Sequence, residues 1–128
     1  MRILLVEDSD DIRFVTVELL AELEHRVIAV SDAEQALAQL SAAPLAAERF
    51  DAVMTDVSLP GISGIALAKE IVRLYPEMPV IISSGYGALD LKFLFGQQTR
   101  RVFALPKPYD LIALDAALKL AAKPAAEA

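Results

Sequence analysis

The chain has 128 residues, 55% of them hydrophobic, enough for one compact domain that buries about two-thirds of the surface of its unfolded chain. Eighteen acidic residues against twelve basic ones give a net charge of -6, and no basic cluster exceeds Arg100-Arg101; this argues against direct nucleic-acid binding and towards a protein partner. The absence of cysteine excludes disulfides and thiol chemistry, and a single histidine, His25, cannot build a histidine metal centre, so any metal must sit on carboxylates.

The first apolar run, "ILLV" at 3 to 6, reads as a buried strand and falls far short of the roughly 20 residues that span a bilayer. "MRILLVED" also puts acids where a signal peptide would stay apolar, so the expected location is the cytoplasm and no membrane partner is expected. A helix is predicted from Ser9/Asp10, with Ile12, Val15, Leu19 and Leu23 as its apolar stripe. His25 follows in "LEHRV", a helix-to-strand connection, where it reads as a surface residue without a role. "VIAV" at 27 to 30 and "AVMT" at 52 to 55 are further strands, and the second of these ends on Asp56. Ile65, Ala68, Ile71 and Tyr75 then recur at helical spacing until Pro76 stops them. A fourth strand, "VIIS" at 80 to 83, precedes "YGALDLKFLFGQQTRR", whose helix is the least regular element; read as alternation, "LDLKFLF" fits a strand instead. Of its Leu89, Leu91, Phe93, Leu94 and Phe95, a helix can bury only one stripe, so some must face outward. "VFAL" at 102 to 105 is the fifth strand, and a helix carrying Leu111, Leu114 and Leu118 follows Asp110 as its N-cap. Residues 1–122 read as one domain and 123–128 as a frayed tail.

Five alternations of strand and helix predict an α/β fold, a parallel sheet with helices on both faces. Glu7-Asp8, Asp56, Ser83-Ser84 and Lys107 each stand at the carboxyl end of a strand, and in open α/β sheets that edge is where ligands bind. Three carboxylates gathered there repel one another, and a hard divalent cation, Mg2+, relieves the repulsion. Such a cation completes its shell with phosphate oxygens, while a lysine and a hydroxyl suit a phosphoryl group; the chemistry indicated is phosphoryl transfer. Taken singly, an aspartate after a strand is often a cap, a Ser-Ser-Gly a plain turn and a lysine before proline a solvated charge. Their convergence on one edge carries the reading.

Over residues 2 to 120 the chain resembles a response-regulator receiver domain: "LLVED" is similar to that family's acidic start, "VMTDVSLPGISG" to its phosphoacceptor loop, "PVIISSGY" to its hydroxyl strand and "LPKPYD" to its lysine-proline end. The resemblance implies a flavodoxin-like (βα)5 sheet in strand order 2-1-3-4-5. It implies Asp56 as phosphoacceptor, Mg2+ on Asp8, Asp56 and the Ser58 backbone carbonyl with Glu7 acting through water, Ser84 and Lys107 on the phosphoryl group, and a cis Lys107-Pro108 bond. It further implies a signalling switch rather than an ordinary enzyme. A sensor histidine kinase or histidine phosphotransfer protein would load it, and a downstream protein or a second copy would meet the face of residues 85–122. The extent of the chain suggests a stand-alone receiver, whereas "SSGY" resembles receivers attached to hybrid histidine kinases within phosphorelays. Two positions depart from the pattern: Glu7 replaces an aspartate, and Ala104 stands where many members carry an aromatic switch residue, with Phe103 one step earlier. A haloacid-dehalogenase-type phosphatase using Asp8 and Asp10 is the alternative, but Asp56 precedes both Ser84 and Lys107, the wrong order for its second acidic pair. A flavodoxin-like anion-binding module fits less well, since "EDSDDIR" would repel an anion.

Overall fold

The computed structural model describes residues 1–42, 49–85, 90–96 and 100–123. Ten elements alternate along the chain: β1 (Arg2–Val6), α1 (Asp10–Glu22), β2 (Arg26–Val30), α2 (Ala33–Ser41), β3 (Ala52–Asp56), α3 (Gly64–Leu74), β4 (Val80–Ser84), α4 (Leu91–Phe95), β5 (Val102–Pro106) and α5 (Leu111–Ala122). The strands form one sheet in the order β2-β1-β3-β4-β5, every pair parallel, as expected. β1, β3 and β4 are covered on both faces, which is why they read as continuous apolar runs rather than alternating ones.

Alternate residues of each strand serve two cores. Leu4, Val6, Val53, Val80 and Ile82 face α2 and α3, whose Ala36, Leu67 and Ile71 are fully buried. Ile3, Leu5, Met54, Ile81 and Leu105 face α1 and α5, against Leu20, Leu114 and Leu118. Helix starts follow their caps: the Asp110 side chain accepts from the Ala113 N–H at 2.8 Å, and Ser9 accepts from the Ile12 N–H at 3.4 Å.

The apolar stripe expected on α1 holds in its second half, where Leu19 and Leu23 pack against the core, and is corrected in its first, where Ile12 and Val15 do not. Thr16 and Leu20 are the buried residues of that helix, while Ile12, Phe14 and Val15 are 44%, 68% and 56% exposed. Apolar residues cover more of α1 than one stripe, so spacing alone does not identify the docked face. Ile12, Val15 and Leu19 instead line an open groove of about 590 Å³ with Pro108 and Tyr109.

The expected helix of this segment is found and the strand alternative for "LDLKFLF" is overturned: residues 91–95 form one short helix, α4. Asp90 decides it by accepting from the Phe93 N–H at 3.0 Å, and Gly96 at φ 59° ends the helix. Phe95 is buried and Leu91 and Leu94 are partly buried, whereas Phe93 is 84% exposed. Leu89, like residues 124–128 of the expected tail, lies outside the described residues.

Candidate functional site

The sheet order brings the ends of β1, β3, β4 and β5 to one edge. Glu7 and Asp8 follow β1, Asp56 ends β3, Ser83 and Ser84 end β4, and Lys107 follows β5. Two backbone bonds close this edge: the Val57 N–H donates to the Ser83 carbonyl at 3.0 Å and the Lys107 N–H to the Ser84 carbonyl at 2.7 Å. The Lys107-Pro108 peptide is cis, as the resemblance implies. The loop after Asp56 turns at Gly61 and returns so tightly that a Cβ on Gly64 would lie 1.8 Å from the Asp56 carbonyl oxygen. Only glycine allows this approach, in which the Gly64 N–H donates to the Val57 carbonyl at 2.8 Å.

Glu7, Asp8 and Asp56 each offer a carboxylate oxygen within 4.8 Å of the others, the one such cluster among the described residues. Glu7 is buried, Asp56 half-buried and Asp8 exposed, so the cluster opens to solvent on the side of Asp8. An all-oxygen donor set of this charge fits Mg2+. Lys107 reaches over from β5, its Nζ 2.8 Å from Asp56 Oδ1 and 3.9 Å from Glu7 Oε1. Glu7 Oε2 accepts from the Ser9 N–H at 3.0 Å, and Arg13 donates to the Glu7 carbonyl at 2.9 Å, which fixes the start of the acidic loop.

Burial pushes the Glu7 carboxyl above its ordinary range; the Ser9 N–H pulls it back, and the like charge of Asp56 adds to the rise. Burial alone would depress Lys107, but the hydrogen bond and charge of Asp56, together with Glu7, carry it above its ordinary value. Lys107 therefore stays an ammonium. Ser84 is buried at the end of β4, paired in register with Pro106. Ser58 lies exposed in the loop two residues beyond Asp56.

Asp10 stands apart. It is exposed and pairs with Arg13 one turn along α1, rather than joining Asp8 as a phosphatase nucleophile pair would. His25 sits half-buried at the opposite edge of the sheet. The Arg100-Arg101 pair is no basic patch either: Arg100 pairs with Glu77, and Arg101 is buried on the carbonyls of Ala121 and Lys123. Gly64 and Ser83 were not given roles from the sequence. The glycine after "SLPGIS" and the opposite side-chain directions of neighbouring residues in a strand were the available signals.

A doubly wound parallel sheet with carboxylates from two strands and a lysine from a third at its carboxyl edge defines a phosphoryl-accepting signalling domain. The family model for the response regulator receiver domain matches residues 3–119, and the chain belongs to that family. The sensor protein TorS of Escherichia coli is 34% identical over 110 residues, which are 84% of this chain and 11% of TorS. The response regulator protein FleR of Pseudomonas aeruginosa is 38% identical over 89 residues, 70% of this chain and 18% of FleR. The chain thus spans between a tenth and a fifth of these relatives. A response regulator receiver domain protein from Clostridium thermocellum superposes with a TM-score of 0.81 at 28% identity, covering 94% of this chain and 93% of that one. The receiver domain of the hybrid histidine kinase CckA gives 0.73 at 31% identity, covering 96% and 100%. The chain is a phosphorylation-dependent switch of two-component signalling, and nothing in the comparisons favours the phosphatase alternative.

Proposed function

We propose that Asp56 is the residue that accepts the phosphoryl group, and that a phosphohistidine on a sensor kinase or phosphotransfer protein supplies it. The observation that carries this reading is the Lys107 ammonium at 2.8 Å from Asp56 Oδ1, which singles out one of the three clustered carboxylates. The free Asp56 oxygen attacks phosphorus, the P–N bond to the donor imidazole breaks, and an acyl phosphate forms. Mg2+, held by Asp8, Asp56 and the Ser58 carbonyl with Glu7 through water, would neutralise charge on the cluster and the incoming phosphoryl oxygens. Lys107 then transfers its hydrogen bond from Asp56 to a phosphoryl oxygen, and the Ser84 hydroxyl donates to another. The domain promotes its own loading and hydrolysis and is otherwise a cytoplasmic signalling module rather than an enzyme acting on a separate substrate.

The groove of Ile12, Val15, Leu19, Pro108 and Tyr109 opens beside Lys107, and its apolar lining supports a donor that docks a helix there. Phe93 and Ile112, 84% and 79% exposed on α4 and α5, support the face of residues 85–122 as the surface for a downstream protein or a second copy. With Ala104 half-buried in β5, the signal passes through Ser84 and the segment after it rather than through a rotating ring. The test is incubation of wild type and Asp56→Asn with acetyl phosphate and Mg2+, read by intact mass. One added phosphoryl group is expected on wild type alone, and equal incorporation in both would refute the assignment.

A further inference from the structure

The hydroxyl of Ser83 is buried without a hydrogen bond among the described residues, and the residue is 3% exposed. A buried hydroxyl in that condition opposes folding, and an alanine of nearly the same size would not. Its place in the sheet says what it faces. Asp56, Ser83 and Leu105 are register partners across β3, β4 and β5. Ile81 and Leu105 point into the core under α1 and α5, so strand alternation sends Ser83 to that same face, beside the Asp56 side chain. Below it on this face the neighbours Met54, Ile81 and Leu105 are hydrocarbon. Above it are Asp56, Glu7 and Lys107.

Lys107 starts two residues beyond Leu105 and must cross the end of β4 to reach Asp56 on β3, because β4 lies between β5 and β3. The β4 residue beneath that crossing on the same face is Ser83. An ammonium has three protons to donate. In the present arrangement one goes to Asp56 Oδ1, and Glu7 Oε1 at 3.9 Å is beyond hydrogen-bond reach.

We propose that Ser83 is a positioning residue of the phosphorylated state: its hydroxyl accepts a hydrogen bond from the Lys107 ammonium once Lys107 leaves the Asp56 carboxylate for the phosphoryl group. Ser84 and Ser83 then divide the work. Ser84 serves the phosphoryl group, and Ser83 holds the lysine that pairs with it. The proposal rests on Asp56 being the phosphoacceptor. It explains why a group that disfavours the resting fold occupies this site, since its partner arrives only with the phosphoryl group.

The test uses beryllofluoride with Mg2+ as the phosphoryl mimic, on wild type and on Ser83→Ala, Ser83→Thr and Ser83→Val, with Asp56→Asn as the control. Thr and Val have one shape and differ in the hydroxyl, so their difference is free of packing effects. Without the mimic, Ser83→Ala should unfold at the same urea concentration as wild type or a higher one. With it, the apparent affinity for beryllofluoride should fall about three- to tenfold in Ser83→Ala, the factor expected for one hydrogen bond. Ser83→Val should show the same loss relative to Ser83→Thr, which keeps the hydroxyl. Equal beryllofluoride affinity in the Thr and Val variants, or in Ser83→Ala and wild type, overturns the role of Ser83 while leaving Asp56 untouched. Wild type that responds no more than Asp56→Asn overturns the phosphoacceptor reading itself.

Discussion

Asp56→Asn keeps the shape of the phosphoacceptor and removes its charge, and the structure makes an uncommon prediction for its stability. At an effective dielectric of about 20, an ammonium 2.8 Å from Asp56 Oδ1 attracts it by about 6 kcal/mol. The Glu7 carboxylate, no more than 4.8 Å from that of Asp56, opposes this by about 3.5 kcal/mol or more. Exposed Asp8, at no greater distance, adds between about 1 kcal/mol with the screening of bulk water and about 3.5 kcal/mol with that of a protein surface. The repulsions cancel most or all of the attraction. The variant also escapes the cost of desolvating a carboxylate whose side chain is only 15% exposed. In buffer with a chelator, Asp56→Asn should therefore match wild type or exceed it by up to about 2 kcal/mol, where breaking an ordinary buried ion pair costs about 3–5 kcal/mol. Mg2+ should reverse the order. At ten times its dissociation constant it stabilises wild type by about 1.4 kcal/mol, and the variant, lacking one ligand, gains less. Urea unfolding with chelator and with Mg2+ measures both effects. A loss of about 2 kcal/mol or more in the chelated variant would mean that the Lys107–Asp56 pair holds the fold, and the reasoning from mutual repulsion would be wrong.

Gly64→Ala forces a methyl into the Asp56 carbonyl, a backbone atom that cannot step aside, so a loss at or above about 3 kcal/mol is expected in urea unfolding, together with loss of labelling by acetyl phosphate. A stable, normally labelled variant would contradict the tight return of the loop. The Glu7 carboxyl titrates above its unfolded value, so ionised Glu7 destabilises the metal-free fold above its folded pKa, and the penalty disappears as pH falls below the unfolded value. Glu7→Gln should accordingly be more stable than wild type at neutral pH in chelator, with the advantage vanishing towards acid; an advantage independent of pH would point to packing instead. Ile12→Asp and Val15→Asp place charge in the groove beside Lys107 without disturbing buried side chains. They should leave acetyl phosphate labelling within about twofold of wild type and slow transfer from a phosphohistidine protein by tenfold or more, a surface anchor being worth upwards of about 1.4 kcal/mol. Equal slowing with both donors would place these residues in the chemistry rather than in docking.

The sheet was legible because of how such sheets are buried. Runs at 3–6, 52–55 and 80–83 are apolar without a break since helices cover both sides, and the strands found differ by a residue at their ends. Edge strand β2 was legible from composition even though Ile28 and Ala29 are exposed. The carboxylates and Lys107 were legible as strand ends, since a parallel sheet gathers all its carboxyl ends on one side. The docked face of α1 was legible only in part: Leu19 and Leu23 of the expected stripe meet the core, but Ile12 and Val15 fit the same helical period and stay exposed, while Thr16 and Leu20 beside them are buried. The apolar residues of "LDLKFLF" alternate well enough to imitate a strand, and the deciding group was polar: the Asp90 side chain bonded to the Phe93 N–H. Ser84 alone was given a role and Ser83 none, although neighbours in a strand face opposite ways and it is Ser83 that shares a face with Asp56.

Lys107 follows the last strand, while the carboxylates it serves stand at the ends of the first and the third. On a chain growing from its amino end, Glu7, Asp8 and Asp56 emerge well before the lysine, and they have no reason to gather until β1 and β3 pair. The β5 register and the Lys107 N–H to Ser84 carbonyl bond then set the ammonium over Asp56. A molecule that has not yet seated β5 has the cluster of negative charge without the Lys107 ammonium. The assembled site thereby depends on the seating of β5 beside β4.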